Sequence, residues 1–281
     1  MTFTAKESSR YEGAPIYLYE FRYGPEATSV ERYTNVGRSV TIAADDPEDP
    51  DITFEPIAIK SSDMEASGRL DKSSLTVELP EDCAIAALFR GEPPSSIITL
   101  KIRQGHDGDA EYRVAWVGRV LDGSFPDDHL NLDCEPITTS LRRTGLTREY
   151  QYACPLVLFG PSCRASKVAA TITVEVLDVD GPLIALPAEW TTAERKERFI
   201  GGIAQWTASD GRLERRSIVD HEGDMITLSS QARGLSAEDT ITLIRGCNHL
   251  QDGCRDHGNI LNFGGQPAIP LKNPIGIVNN Y

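Results

Sequence analysis

The 281-residue chain has no long hydrophobic run, few histidines and none of the compact motifs that mark hydrolytic or nucleotide chemistry. Runs such as residues 97–102 fall far short of the ~20 apolar residues a membrane-spanning helix needs, so no membrane span is expected. G-x-S-x-G, G-x-x-x-x-G-K-[ST] and H-E-x-x-H are all missing, which removes the nucleophile elbow, the phosphate-cradling loop and the two-histidine zinc site. The five histidines, at 106, 129, 221, 249 and 257, are dispersed. Carboxylates do cluster at Asp178 with Asp180, and at Asp220 with Glu222 and Asp224. Each group lies in a Gly-containing turn, where Asp ordinarily bonds nearby backbone N–H groups, so an enzyme is not expected. Basic residues are scarce too, with 28 Lys and Arg against 42 Asp and Glu and a net charge of −14. Proteins that bind nucleic acid generally gather cations to neutralise phosphates, so specific nucleic-acid binding is not expected. The acidic stretch 45–51 holds five acids and two prolines. The prolines break the ligand alternation and the Gly turn of a calcium loop, so the stretch reads as a solvated loop. Residues 1–7 have neither the basic start nor the apolar run of a secretion signal, and a reducing cytoplasm is the expected place of synthesis.

What the sequence does have is a pattern of cysteines. Four of the six form two pairs, Cys154-x8-Cys163 and Cys247-x6-Cys254, separated by the 83 residues 164–246. Gly160, Pro161 and Pro155 in the first pair, and Gly246 and Gly253 beside the second, mark both as loops rather than helix faces. Two loops carrying two sulfurs each can supply the corners of a tetrahedron. A structural zinc takes four thiolates, but its usual pairs are C-x2-4-C knuckles, and these intervals are wider. An iron–sulfur core is larger and also takes four thiolates, so wide intervals suit it better. Two disulfides are the third reading, which a reducing compartment disfavours. Arg164, Arg255 and Arg245 stand close by in sequence and would offset the charge of an anionic centre. Cys83 and Cys134 have no partner at a ligand-like spacing and read as core residues.

The rest of the chain is strand-like. Alternation of apolar and polar residues marks strands at 14–23, 38–43, 57–60, 74–79, 97–103, 112–121 and 129–134, and then at 170–177, 183–186, 203–207, 213–219, 225–229 and 240–244. Residues 80–91 read as a short helix with Pro80 near its start, Glu81 and Asp82 in its first turn, and Arg90 and Gly91 at its end. Thr191 and Glu194 have the capping-box spacing of one further helical turn. Arg142, Arg143 and Arg148 form the most basic patch in the chain. The expected fold is mainly β with a few short helices. A β-rich domain spans 1–150, and a smaller β-rich domain at 151–281 is closed by the four-cysteine site. The Gly-, Pro- and Asn-rich tail from Gly258 is expected to be extended and ordered by contact.

The cysteine pattern, with the Gly246-Cys247-x6-Cys254 arrangement followed by Asn259-Ile260-Leu261-Asn262-Phe263-Gly264-Gly265-Gln266-Pro267-Ala268-Ile269-Pro270, resembles the phage minor tail protein L family. These are tail-tip hub proteins of lambda-type siphophages, with relatives in gene transfer agents. Leu121-Asp122-Gly123-Ser124-Phe125, Leu141-Arg142-Arg143 before Tyr150, and Gly201-Gly202-Ile203-Ala204-Gln205-Trp206 fall in the family's order, so the resemblance covers nearly the whole chain. It departs from the pattern at Asn248-His249, where relatives usually carry an acidic and then a basic residue. The resemblance implies a [4Fe-4S] cluster on Cys154, Cys163, Cys247 and Cys254. It also implies a homotrimeric ring in the virion tail tip, made in the host cytoplasm. That ring would meet the distal tail protein and the central hub or fibre protein, with the tape measure protein inside and DNA passing through its lumen. An iron–sulfur enzyme or electron carrier, and a zinc-stabilised binding module, are the rival readings of the residues alone.

Overall fold

The computed structural model describes residues 6–7, 13–24, 29–44, 49–64, 74–90, 94–108, 111–142, 145, 150–188, 190 and 196–269. The capping box at 191–194, Arg143 and Arg148, residues 45–48 of the acidic stretch and the tail from residue 270 lie outside the described residues, as does the side chain of Arg142. The chain divides into two compact units, Met1–Arg143 and Thr144–Tyr281. Both are mainly β, with only short helices among the described residues. None of those helices is long and apolar enough to cross a membrane.

The first unit is built on nine strands: β1 (Pro15–Tyr23), β2 (Val30–Thr34), β3 (Val40–Ile42), β4 (Ile52–Pro56), β5 (Lys60–Ser61), β6 (Leu75–Pro80), β7 (Ile98–His106), β8 (Arg113–Ser124) and β9 (His129–Pro136). They form one sheet in the order β3-β4-β2-β1-β7-β8-β9-β6-β5. The pairings are antiparallel except that of β2 with β4. Strand β1 is central because both of its faces are apolar. Ile16 and Leu18 join Val40, Ile42 and Phe54 in one cluster. Tyr19, Phe21 and Tyr23 join Leu100, Ile102, Leu130 and Leu132 in another. Alternation along a strand sends odd and even residues to opposite sides, so one strand supplies both clusters. Glu20 interrupts the first face. Its buried carboxylate pairs with Arg32 at 3.2 Å, Arg22 at 3.6 Å and Arg103 at 3.7 Å, which keeps the charge compensated in the sheet.

Differences from the sequence reading have local causes. Helix α1 (Ala84–Phe89) begins later than expected, so Glu81 and Asp82 precede it and Cys83 stands at its N-cap. Residues 57–59 are not a strand. The Ile57 N–H makes a last bond to the Thr34 carbonyl of β2 at 3.1 Å, and the Ile59 N–H then folds back to the Ile57 carbonyl at 2.8 Å. Strand pairing resumes in β5, while β2 and β4 went unpredicted.

The second unit has seven strands: β10 (Thr171–Glu175), β11 (Asp178–Asp180), β12 (Leu183–Ala185), β13 (Ile203–Thr207), β14 (Leu213–Glu222), β15 (Met225–Leu228) and β16 (Thr240–Ile244). Their order is β10-β16-β13-β14-β15-β12-β11. Trp206, Phe199, Ile218, Ile241 and Leu243 centre its core, and the Trp206 indole N–H donates to the Arg233 carbonyl at 2.9 Å. Residues 178–180, expected as a turn, pair with β12 as an edge strand. Asp178 and Asp220 each accept the N–H of the next residue, but from within β11 and β14 and not from turns.

Each unit carries its own core, which yields a paired expectation. Leu132→Ala and Leu243→Ala, at positions fully shielded from solvent, should each destabilise the unit that holds it by about 2–5 kcal/mol in denaturant titration. A loss below about 1 kcal/mol at either site would contradict the packing described. Burial also pushes the Cys134 thiol up to about 12, with Asp133 adding to the shift. The unfolded thiol ionises near about 8.5, so this contribution to stability is complete below that pH and is lost as pH rises toward 12. Iodoacetamide at about pH 8 should therefore leave Cys134 unlabelled until the protein is unfolded, as peptide mass mapping would reveal.

Candidate functional site

All seven strands of the second unit lie between the two cysteine pairs, and the first and last of them are neighbours. Thr171, which opens β10, faces Ile244, which closes β16, and the ladder runs on to Glu175 opposite Thr240. The Arg245 N–H extends it by one bond to the Ala170 carbonyl at 2.9 Å. Antiparallel neighbours start and finish at the same end, so the sheet delivers the chain leaving Cys163 and the chain arriving at Cys247 to one corner. Backbone pairing alone thus joins loops that are far apart in sequence.

Hydrogen bonds then link the loops directly. Cys154 and His249 exchange a pair of contacts: the Cys154 N–H donates to the His249 carbonyl at 2.8 Å, and His249 Nδ1 meets the Cys154 carbonyl at 2.9 Å. The His249 N–H also points at Cys247 Sγ, 3.4 Å away. Asn259, buried, joins the other two cysteines. Its side-chain amide donates to the Cys163 carbonyl at 2.6 Å and approaches Cys163 Sγ at 3.5 Å, while its own carbonyl accepts from Cys254 Sγ at 3.1 Å. The Gly264 N–H reaches Cys154 Sγ at 3.3 Å. All six cysteines are free thiols. Cys163 and Cys254 are buried, and Cys154 and Cys247 are half-buried. Burial raises the Cys247 and Cys254 thiols, and the neighbouring sulfurs push both further up: Cys154 and Cys163 act on Cys247, and Cys247, Cys154 and Cys163 act on Cys254. The four sulfurs therefore lie within electrostatic reach of one another.

Glycines make the approach possible. A side chain on Gly246 would sit 2.6 Å from the backbone of Gly201 and 2.7 Å from that of Gly202, so the Gly201-Gly202 turn and the residue before Cys247 pack main chain to main chain. Gly264 is equally confined, because a Cβ there would meet Leu156 at 2.8 Å and Cys154 Sγ at 3.4 Å. The loops themselves are strained. Phe159, Arg164 and His249 adopt positive φ near 60°, a conformation that non-glycine residues hold only when surrounding contacts impose it.

Sequence reasoning missed three of these features. Cys254 lies not in a loop but on helix α2 (Gln251–Asp256). That helix is organised by Asn248, whose side-chain oxygen accepts the Leu250 N–H at 2.9 Å and whose amide bonds both Asp252 oxygens at 3.2 Å. The Asn248 amide and the Gly253 N–H hold the Asp252 carboxyl below its usual range. His249, noted only as a nearby imidazole, is a loop-to-loop staple. Asn259 carried no sequence signal beyond its place in the Asn259–Pro270 motif. The arginines do less than expected at the sulfurs. Arg245 Nη2 donates to the Ala169 carbonyl at 3.0 Å, Arg164 Nε donates to the Pro161 carbonyl at 3.3 Å, and Arg255 is exposed. A cavity of about 200 Å3 beside Cys247 is lined by Arg198, Arg245, Asp256 and His257. Its groups bond within the protein: Arg198 pairs with Asp256 at 2.7 Å, and His257 Nε2 meets the Gly246 carbonyl at 2.8 Å.

Among the described residues, no group of three or more His, Cys, Asp or Glu side chains is arranged to hold a metal ion. The donor chemistry nonetheless fits an iron–sulfur core. It offers four free thiols, N–H groups directed at three of them, and glycines that leave room at the sulfur of Cys154.

The fold and site together define a two-unit β protein whose second unit carries a four-thiol corner. Residues 197–273, which hold the second cysteine pair, match a family described as phage conserved hypothetical protein BR0599. An uncharacterized protein of Xylella fastidiosa (strain 9a5c) is 23% identical over 227 residues, 74% of this chain and 45% of that protein, so the chain spans less than half of that relative's length. Among solved structures, a chain from the virion of a native gene transfer agent particle superposes with a TM-score of 0.71 at 18% identity. The match covers 100% of this chain and 98% of that one. At that identity the likeness is one of fold.

Two substitutions test the corner. Gly246→Val should prevent the close approach to Gly201 and Gly202 and cost about 3 kcal/mol or more, seen as loss of the cooperative transition of the second unit. Asn259→Ala should cost about 1–3 kcal/mol, because the buried Cys163 carbonyl loses its donor. Wild-type stability in both variants would mean that the corner is not packed as described.

Proposed function

We propose that this chain is a structural virion protein of a phage-like particle, a tail-tip hub subunit whose second unit is fastened by a [4Fe-4S] cluster on Cys154, Cys163, Cys247 and Cys254. The observation that carries the virion reading is the whole-length fold likeness to a gene transfer agent virion chain. The phage family matched by residues 197–273 accords with it. In this reading the subunit forms a homotrimeric ring that meets the distal tail protein and the central hub or fibre protein, with the tape measure protein inside.

The cluster's part is structural. Bound there, it would supply a covalent tie between the entry and exit of the seven-stranded sheet. Closing so long a loop removes unfolded-state freedom on the order of 4 kcal/mol in the chain-entropy model. The residues of the chain do the rest: Gly264, His249 and Asn259 direct N–H groups at the sulfurs, and β10 and β16 hold the two loops at one corner.

Protein purified without oxygen should contain iron and acid-labile sulfide in equal amounts, with a broad visible absorption band that bleaches on reduction. Zinc in place of iron would favour the binding-module reading and overturn the cluster. For the particle reading, mass spectrometry of purified particles should find the chain, and labelled antibody should mark the tail tip. Particles carrying Cys247→Ser should assemble defective tips. Full infectivity of those particles, or absence of the chain from wild-type ones, would refute the corresponding half of the reading.

A further inference from the structure

The four sulfurs are not equivalent. Cys154, Cys247 and Cys163 each receive a donor: the Gly264 N–H at 3.3 Å, the His249 N–H at 3.4 Å and the Asn259 side-chain amide at 3.5 Å. Cys254 is reversed, for its Sγ is the donor and the Asn259 carbonyl oxygen, 3.1 Å away, is the acceptor. The difference matters once a metal binds. A metal-bound cysteine is a thiolate, which only accepts hydrogen bonds. The three N–H contacts survive ligation and strengthen with the negative charge on sulfur. At Cys254 a ligating sulfur would instead face the Asn259 carbonyl oxygen at 3.1 Å, acceptor against acceptor.

The main chain of both partners is fixed. The Asn259 carbonyl is also held by the Asn262 N–H at 2.9 Å, and its side-chain oxygen by the Asn262 amide at 2.7 Å. Cys254 is anchored in α2 through its N–H to the Leu250 carbonyl at 3.1 Å, and its carbonyl accepts the Asn259 N–H at 2.9 Å. One residue thus supports Cys163 with its side chain and opposes Cys254 with its main chain.

We infer that the centre is held by three supported thiolates, Cys154, Cys163 and Cys247, and that Cys254 is the labile fourth corner, from which iron leaves first. The inference rests on the cluster reading above. Loss at that corner follows one-electron oxidation. Ferricyanide takes an electron from [4Fe-4S]2+ and becomes ferrocyanide, and the resulting [4Fe-4S]3+ divides into [3Fe-4S]+ and a released Fe2+, so charge and iron balance.

The test uses the full chain reconstituted with iron and sulfide without oxygen. Cys254→Ala should retain about three-quarters of the wild-type iron and a visible chromophore, whereas alanine at Cys154, Cys163 or Cys247 should reduce iron to background. A second measurement needs no variant. After stoichiometric ferricyanide, the wild-type protein is alkylated with iodoacetamide and each cysteine is quantified by peptide mass mapping. Cys254 should label first, although it is buried and Cys154 and Cys247 are more accessible. Exposure alone predicts the opposite order, so first labelling at Cys154 or Cys247 overturns the inference. Equal loss of iron in all four alanine variants, each still folded by circular dichroism, overturns it as well. Wild-type protein that takes up no iron instead refutes the cluster reading itself, and the inference with it.

Discussion

The antiparallel pairing of β10 with β16 is the constraint on which the second unit depends. It makes the first and last strands of a seven-stranded sheet neighbours, so that both cysteine loops leave the sheet at the same end. Without it the two pairs would be separated by the whole sheet, and no hydrogen bond between Cys154 and His249 could form. The close approach of Gly246 to Gly201 and Gly202 follows from the same pairing, because β13 lies on the other side of β16 and its entry turn is pressed against the exit of β16. Three chain segments therefore meet at one corner through backbone contacts before any metal is considered.

That corner is organised in depth. Direct loop-to-loop bonds through His249 and Asn259, the Asn248 side-chain bonds to Leu250 and Asp252, and positive φ at Phe159, Arg164 and His249 all point to a site whose shape is imposed by surrounding structure. Burial and the neighbouring sulfurs raise the Cys247 and Cys254 thiols, which favours their neutral, protonated form.

The first unit follows a different logic. Its large sheet is buried on both faces near β1, where the buried Glu20 is compensated by three arginines from β1, β2 and β7, the buried Arg103 among them. Apolar side chains do remain exposed, Ile97, Val114, Leu121, Ile137 and Leu141 among them. They lie in a chain whose net charge is −14.

By itself the sequence determined the class of fold, the limits of many strands and the four residues of the candidate site. Alternation of apolar and polar residues is a local signal, and it placed β1, β13 and β16 almost to the residue. It missed β2, whose Glu31 and Arg32 hide the pattern, and β11, whose two aspartates read as a turn. The cysteine spacing named the site residues because sulfur chemistry restricts what such pairs can do. Tertiary structure alone decided that the pairs share a corner, that His249 and Asn259 bind them together, and that Cys254 faces a carbonyl while the others face N–H groups. Those facts depend on contacts between residues as far apart as Cys163 and Asn259, and on the direction of individual hydrogen bonds. No periodicity along the chain encodes either.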